Sequence, residues 1–196
     1  MKQPTKNHLA IKTAFQRKLF KPIMLTAVLT TLGMGSLSAA PFGSDEDIGF
    51  AGKIWNSLEQ AKLAGSGRIV STPYQGSHPH GAILDTMDSQ IMVEGKQGSV
   101  IVKNNYGGEG VTKQAVADNP DKFLQAVTVM FKRPGYDADN KDWFWVKYAP
   151  DGSIMKNPKN MALAGRVAKG MPQGCIACHQ AAPGGDMVFN HDKLSN

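Results

Sequence analysis

The run Ala126-Val127-Thr128-Val129-Met130-Phe131-Lys132-Arg133 is rich in β-branched and apolar residues, stops at Pro134-Gly135 and reads as a β-strand. Its apolar and polar residues alternate less sharply than in a strand with one wet face, which predicts a sheet covered on both sides. Three runs of the same character surround it, Trp143–Ala149, Ser99–Tyr106 and His80–Met87, each bounded by Gly, Pro, Asp or Asn. Pro134-Gly135, Pro150-Asp151-Gly152 and Pro183-Gly184-Gly185 supply turns. Ahead of them, Asp45–Leu63 repeats Ile48, Ala51, Ile54, Trp55, Leu58 and Leu63 at helical spacing, with Ser44 or Asp45 as N-cap and Gly65 as stop. Beyond residue 40 the chain carries 28 Gly and Pro residues, too many for a four-helix bundle of this size. The expected class is α+β, an antiparallel β-sheet with flanking helices.

At 196 residues the chain suffices for one sizeable core but not for two comfortable domains. Its net charge of +6 is concentrated: Lys2, Lys6, Lys12, Arg17, Lys18 and Lys21 lie in the first 40 residues, which hold no acid. The remainder is balanced, 16 bases against 16 acids, and offers no support for a nucleic-acid partner. A basic start, the apolar run Pro22–Leu37 and the small residues Ser36, Ser38, Ala39 and Ala40 form a secretory signal peptide pattern. The run carries internal Thr and Gly and falls short of the roughly 20 apolar residues of a spanning helix. Residues 1–39 are therefore expected to be a signal peptide cut after Ser38 or Ala39, touching a membrane only before cleavage. Residues 40–196 then form one exported, periplasmic domain, in a compartment where thiols oxidise or become covalently capped.

The two cysteines stand in Gly174-Cys175-Ile176-Ala177-Cys178-His179. The spacing C-x-x-C-H is that of c-type haem attachment: two thiols on one helical turn form thioethers to the vinyl groups, and the adjacent imidazole reaches the iron. A thioredoxin-like redox pair, a structural disulfide and half of a zinc site compete with this reading. A redox pair opens the first long helix after a strand, whereas this motif lies near the C-terminal end of the chain. A zinc site must recruit further ligands from His78, His80 or His191. The expected cofactor is one covalently attached haem c with its iron bound by His179.

Together with the haem motif, several blocks in order give a family resemblance between about Pro73 and Phe189. They are Pro79-His80-Gly81, Val100-Ile101-Val102-Lys103-Asn104-Asn105-Tyr106, Val127-Thr128-Val129-Met130-Phe131-Lys132, Asp142-Trp143-Phe144-Trp145-Val146-Lys147-Tyr148 and Pro150-Asp151-Gly152. The sequence resembles the cytochrome P-460 / cytochrome c′-beta superfamily. The resemblance implies a periplasmic domain with an antiparallel sheet, a haem c near the C-terminus, a proximal histidine and an open or apolar distal side. Two chemistries share that fold. In the cytochromes P-460 a lysine is bonded to the porphyrin and hydroxylamine is oxidised, in some members with nitric oxide; in the cytochromes c′-beta the bond is absent and the protein binds nitric oxide or carries electrons. Lys103 matches the lysine-bearing strand, while Asn104 stands where many relatives are expected to carry an acid. The implied partners are a small ligand or substrate, hydroxylamine or nitric oxide, and a redox partner protein, and the resemblance admits a homodimer. Whether the chain is an enzyme, an electron carrier or a nitric oxide scavenger stays open at this point.

Hydroxylamine oxidation needs an open iron position and a nearby base. Glu109, in the loop Gly107-Gly108-Glu109-Gly110, is the candidate base, and Lys103 with Glu109 forms the candidate catalytic pair. If Lys103 faces the haem from a strand, Ile101 shares its face and Val100 and Val102 take the other. Most of Phe123, Phe131, Trp143, Phe144 and Trp145 are expected in the core. His78 and His80 read as hydrogen-bonded residues where a strand begins. Met171 and Met187 lie too near the haem motif in sequence to reach its opposite face, so the iron is expected to be five-coordinate or to hold water.

Overall fold

A computed structural model describes residues 42–189, so the signal peptide reading lies outside the described residues, as does His191. Helix α1, Asp45–Gln60, opens on a reciprocal cap: the Ser44 hydroxyl accepts from the Asp47 amide at 3.1 Å, and the Asp47 carboxylate accepts from the Ser44 amide at 3.3 Å. Asp45, Glu46 and Asp47 in the first turn also complement the positive end of the helix dipole. The expected helix ran three residues further, to Leu63, with Gly65 as its stop. Instead Lys62 takes a left-handed conformation (φ +56°), the Leu63 amide donates to the Leu58 carbonyl at 2.8 Å, and the Lys62 amide donates to that of Glu59 at 3.0 Å. This is a Schellman termination, and the buried pair Leu58 and Leu63 is its apolar clasp. Phe50, Ala51, Ile54, Trp55 and Leu58 form the buried face, whereas Ile48, assigned to it by spacing, is exposed.

The sheet is a six-stranded antiparallel meander in chain order: β1 Tyr74–Gln75, β2 Ile83–Val93, β3 Lys96–Tyr106, β4 Leu124–Lys132, β5 Trp143–Tyr148 and β6 Ala164–Gly165. The α+β class is thus the observed one. Two short helices, α2 Lys113–Asp118 and α3 Pro120–Phe123, connect β3 to β4, and α4, Cys175–His179, follows the sheet. Strand β2 is displaced from the expected His80–Met87. Residues 80–82 precede it, and it continues through the polar Asp88, Ser89 and Gln90 because these pair with Ile101, Val100 and Ser99 of β3. Glu94 and Gly95 close the hairpin between Val93 and Lys96, both with the positive φ that a type I′ turn requires (+52° and +74°).

Strands β3 to β5 are covered on both faces. Val100 and Val102, Val127 and Val129, and Phe144 and Val146 join the buried residues of α1 in the main core. The alternate residues Met130, Trp143 and Trp145 pack with Phe42, Val167, Ile176 and Met187 on the opposite face. The expected aromatic core divides accordingly, with Phe131 and Phe144 on the α1 side, Trp143 and Trp145 on the other, and Phe123 in a small cluster with Ile83, Tyr106 and Val116. Tyr148, fully buried, donates to the Ala51 carbonyl at 2.7 Å and ties α1 to β5. Replacing the fully buried Ile54 by Ala is expected to cost about 2–5 kcal/mol of stability in denaturant titrations, through lost burial and the cavity left behind.

Candidate functional site

The α4 side of the sheet bounds a cavity of about 610 Å³, within the ~300–1,000 Å³ range of cofactor sites. Ile101, Thr128, Met130, Trp145 and Lys147 line it from the sheet, Cys175, Cys178 and His179 from α4, and His78 and His80 from the segment before β2. Helix α4 begins after Gly174, whose φ of +144° is available essentially to glycine, and a Cβ there would lie 2.3 Å from that of Ala168. The chain therefore turns against Val167-Ala168 without a side chain between. One turn of helix then carries both free thiols and the buried His179.

His179 is held from three directions. Its Nδ1 lies 2.8 Å from the Met187 carbonyl, which only accepts, so Nδ1 carries the proton and Nε2 keeps its lone pair. Trp145 and Phe189 pack on the ring at centroid distances of 4.8 and 5.3 Å. Burial lowers the imidazole pKa, against the hydrogen bond it donates to the Met187 carbonyl, and favours the neutral, metal-binding form. Met187 thus contributes its carbonyl, its side chain being packed in the core. Met171 is exposed, and neither methionine lines the cavity.

Lys103 is half-buried in the cavity wall, with Ile101 on the same face and the buried Val100 and Val102 turned toward α1. Burial lowers its pKa, opposed by Asp88 and Cys178. Asn104 faces away from the cavity and donates from Nδ2 to the buried Asp85 carboxylate at 3.1 Å, beside the Tyr106 hydroxyl that donates to the same group. Burial raises the Asp85 pKa despite these donors.

Glu109 requires a correction. It is exposed and absent from the cavity wall, because β3 ends at Tyr106 and the glycine loop, with Gly108 and Gly110 at φ +101° and +73°, carries it to the surface. Among the wall residues that went unassigned as site residues in the sequence are Lys147 and His80. Lys147 sits across β4 from Lys103, each paired with Thr128, and its alternation with Trp145 on β5 was the available signal. His80, read as a structural residue, is hydrogen-bonded to Asn105 as expected but also lines the cavity, and burial pushes its pKa down to about 4. Its signal was the Pro79-His80-Gly81 block.

The residues fit a haem. Two thiols and an imidazole with a free Nε2 provide the donor set, Ile101, Met130, Trp145, Val167 and Phe189 provide apolar walls, and Lys103 and Lys147 place amino groups on the sheet wall. The buried Trp145 Nε1 has no protein partner and leaves a donor for a bound group. No cluster of three or more His, Cys, Asp or Glu able to hold a metal occurs among the described residues.

Sheet, cavity and donors define a haem-binding α+β protein. The family described as Cytochrome P460 matches residues 80–190, more than half of the chain, and the chain belongs to that family. It is accordingly a haem cytochrome. No curated protein and no solved structure matches it. Among the described residues no helix is long and apolar enough to cross a membrane.

Two outcomes follow from the local geometry. Gly174→Ala is expected to lower stability by about 1–3 kcal/mol in denaturant titrations, through backbone strain at a conformation that alanine avoids. Because the folded pKa of Lys103 lies below the ordinary 10.5, the unfolded chain binds more protons in that window and stability rises with pH through it. Lys103→Met should flatten that rise, measured as unfolding free energy against pH in the alkaline range below about 10.5.

Proposed function

We propose that the chain is an exported, periplasmic cytochrome carrying one covalent haem c, at which small nitrogen compounds, hydroxylamine or nitric oxide, bind or are oxidised. The observation that carries this reading is the placement of Cys175, Cys178 and His179 on one helical turn facing a cavity whose sheet wall includes Lys103. With haem bound, Cys175 and Cys178 would hold the vinyl groups as thioethers and His179 Nε2 would bind the iron. Bound there, haem supplies a redox-active iron able to take a nitrogen ligand. Trp145 and Phe189 keep the His179 ring in place and exclude water from its faces, while Met187 fixes its tautomer. Lys103, biased toward its neutral amine by burial, is the residue positioned for the porphyrin bond of the cytochromes P-460. Electrons pass to or from a redox partner protein.

One observation favours the c′-beta reading, in which the protein binds nitric oxide or carries electrons without catalysis. No carboxylate lines the cavity among the described residues, and the base proposed for hydroxylamine oxidation, Glu109, is exposed elsewhere.

Mass spectrometry of protein from a haem-c-maturing host is expected to show the mass of one haem and a new N-terminus after Ser38 or Ala39; two free thiols there would overturn the attachment. A ferrous Soret band displaced far to long wavelength and hydroxylamine turnover, both abolished in Lys103→Ala, would support the P-460 chemistry. An unchanged spectrum in Lys103→Ala, with nitric oxide still binding, would support the c′-beta type.

A further inference from the structure

His80 is placed and prepared much as His179 is. The two rings share the cavity, their centroids 6.3 Å apart and their planes at 83°. The preparation comes from Asn105, a buried side chain at the irregularity that ends the β3–β4 ladder. Its Nδ2 donates to the carbonyls of Lys103 at 2.8 Å and Ala126 at 3.2 Å, neither of which can donate in return. The amide orientation is therefore determined, and Oδ1 lies on the other side, where it accepts from the Gly81 amide at 3.4 Å. The same oxygen is 3.0 Å from His80 Nδ1. An amide oxygen offers no proton, so His80 Nδ1 is the donor and Nε2 is left with its lone pair.

Each imidazole therefore has its Nδ1–H committed to a fixed oxygen, Met187 for one and Asn105 for the other, and each keeps a bare Nε2. This pattern is the one that orients histidine ligands at metal sites. The separation points the same way. Two imidazoles on opposite sides of one metal, each at a bond length of about 2 Å, have ring centroids about 6 Å apart, since each nitrogen lies roughly 1 Å from the centre of its ring. The structure has 6.3 Å.

We propose that His80 is the second axial ligand of the haem iron, opposite His179, so that the iron without an exogenous ligand is six-coordinate. This replaces the five-coordinate or water-bound iron expected from the sequence, and it rests on the reading that Cys175, Cys178 and His179 hold the haem. A small ligand then binds by displacing His80, which a turn ahead of β2 carries rather than a strand.

The test uses the full chain matured with haem c, as wild type and as His80→Ala. Electronic absorption and electron paramagnetic resonance of the ferric protein at neutral pH are expected to show low-spin iron in the wild type. His80→Ala should shift it to high-spin, and added imidazole should restore the low-spin signature. High-spin iron in the wild type would overturn the proposal whether or not the variant folds, and so would a low-spin spectrum unaltered in His80→Ala. The mass of each sample separates the two readings. Without covalent haem the attachment itself fails, whereas haem present on a high-spin wild type removes His80 alone.

Discussion

Apolar residues on alternate positions of β3, β4 and β5 pack against a single capped helix, and the rest of the structure depends on that contact. Val100, Val102, Val127, Val129, Phe144 and Val146 must all face α1, which sets the register of three strands at once. A slip of one residue in any strand would turn its apolar set outward and its polar set into the core. The same constraint puts Ile101, Lys103, Thr128, Trp145 and Lys147 on the opposite face. The cavity wall is thus the obligatory complement of the core, which is how a lysine comes to stand half-buried in the middle of a strand.

Oxygen atoms anchored in the fold prepare the donors of the cavity. The Met187 carbonyl and the Asn105 amide oxygen each take an imidazole Nδ1–H, and neither can act as a donor in that position. Burial lowers the pKa of both rings and of Lys103, so the basic groups of the wall are biased toward the forms that offer a lone pair. On the other side of the sheet Asp85 is buried, accepts from Tyr106 and Asn104, and lies near the Arg68 guanidinium. The sheet thus separates a basic cavity from a buried acid, and Asn104, beside Lys103 in sequence, belongs to the acid's side.

Much of this could be read from the residues because the signals were local. C-x-x-C-H confines two thiols and an imidazole to one helical turn whatever the rest of the chain does. The period of two through Val100-Ile101-Val102-Lys103 ties Lys103 to Ile101 and opposes it to the valines, and the strand keeps that relation. Reading failed where the answer depended on chain direction or distant pairing. Glu109 is close to Lys103 in sequence, but glycines with positive φ lead the loop away from the cavity. The polar half of β2 resembled a loop until its pairing with β3 gave its backbone groups partners. Ile48 had helical spacing, but in the folded chain it falls outside the buried stripe of α1.

By itself the sequence determined the class of fold, the place of the two thiols and His179, and the alternation that makes Lys103 a companion of Ile101. These follow from covalent spacing and from the fixed periods of helix and strand. Only the tertiary structure decided that His80 shares a cavity with His179 across about a hundred residues of chain, that Lys147 joins Lys103 beside Thr128, and that no carboxylate reaches the cavity wall among the described residues. The physical reason is that these relations are set by sheet register and by hydrogen bonds between distant backbone segments. Such bonds include those that orient Asn105, and no short window of sequence contains both partners.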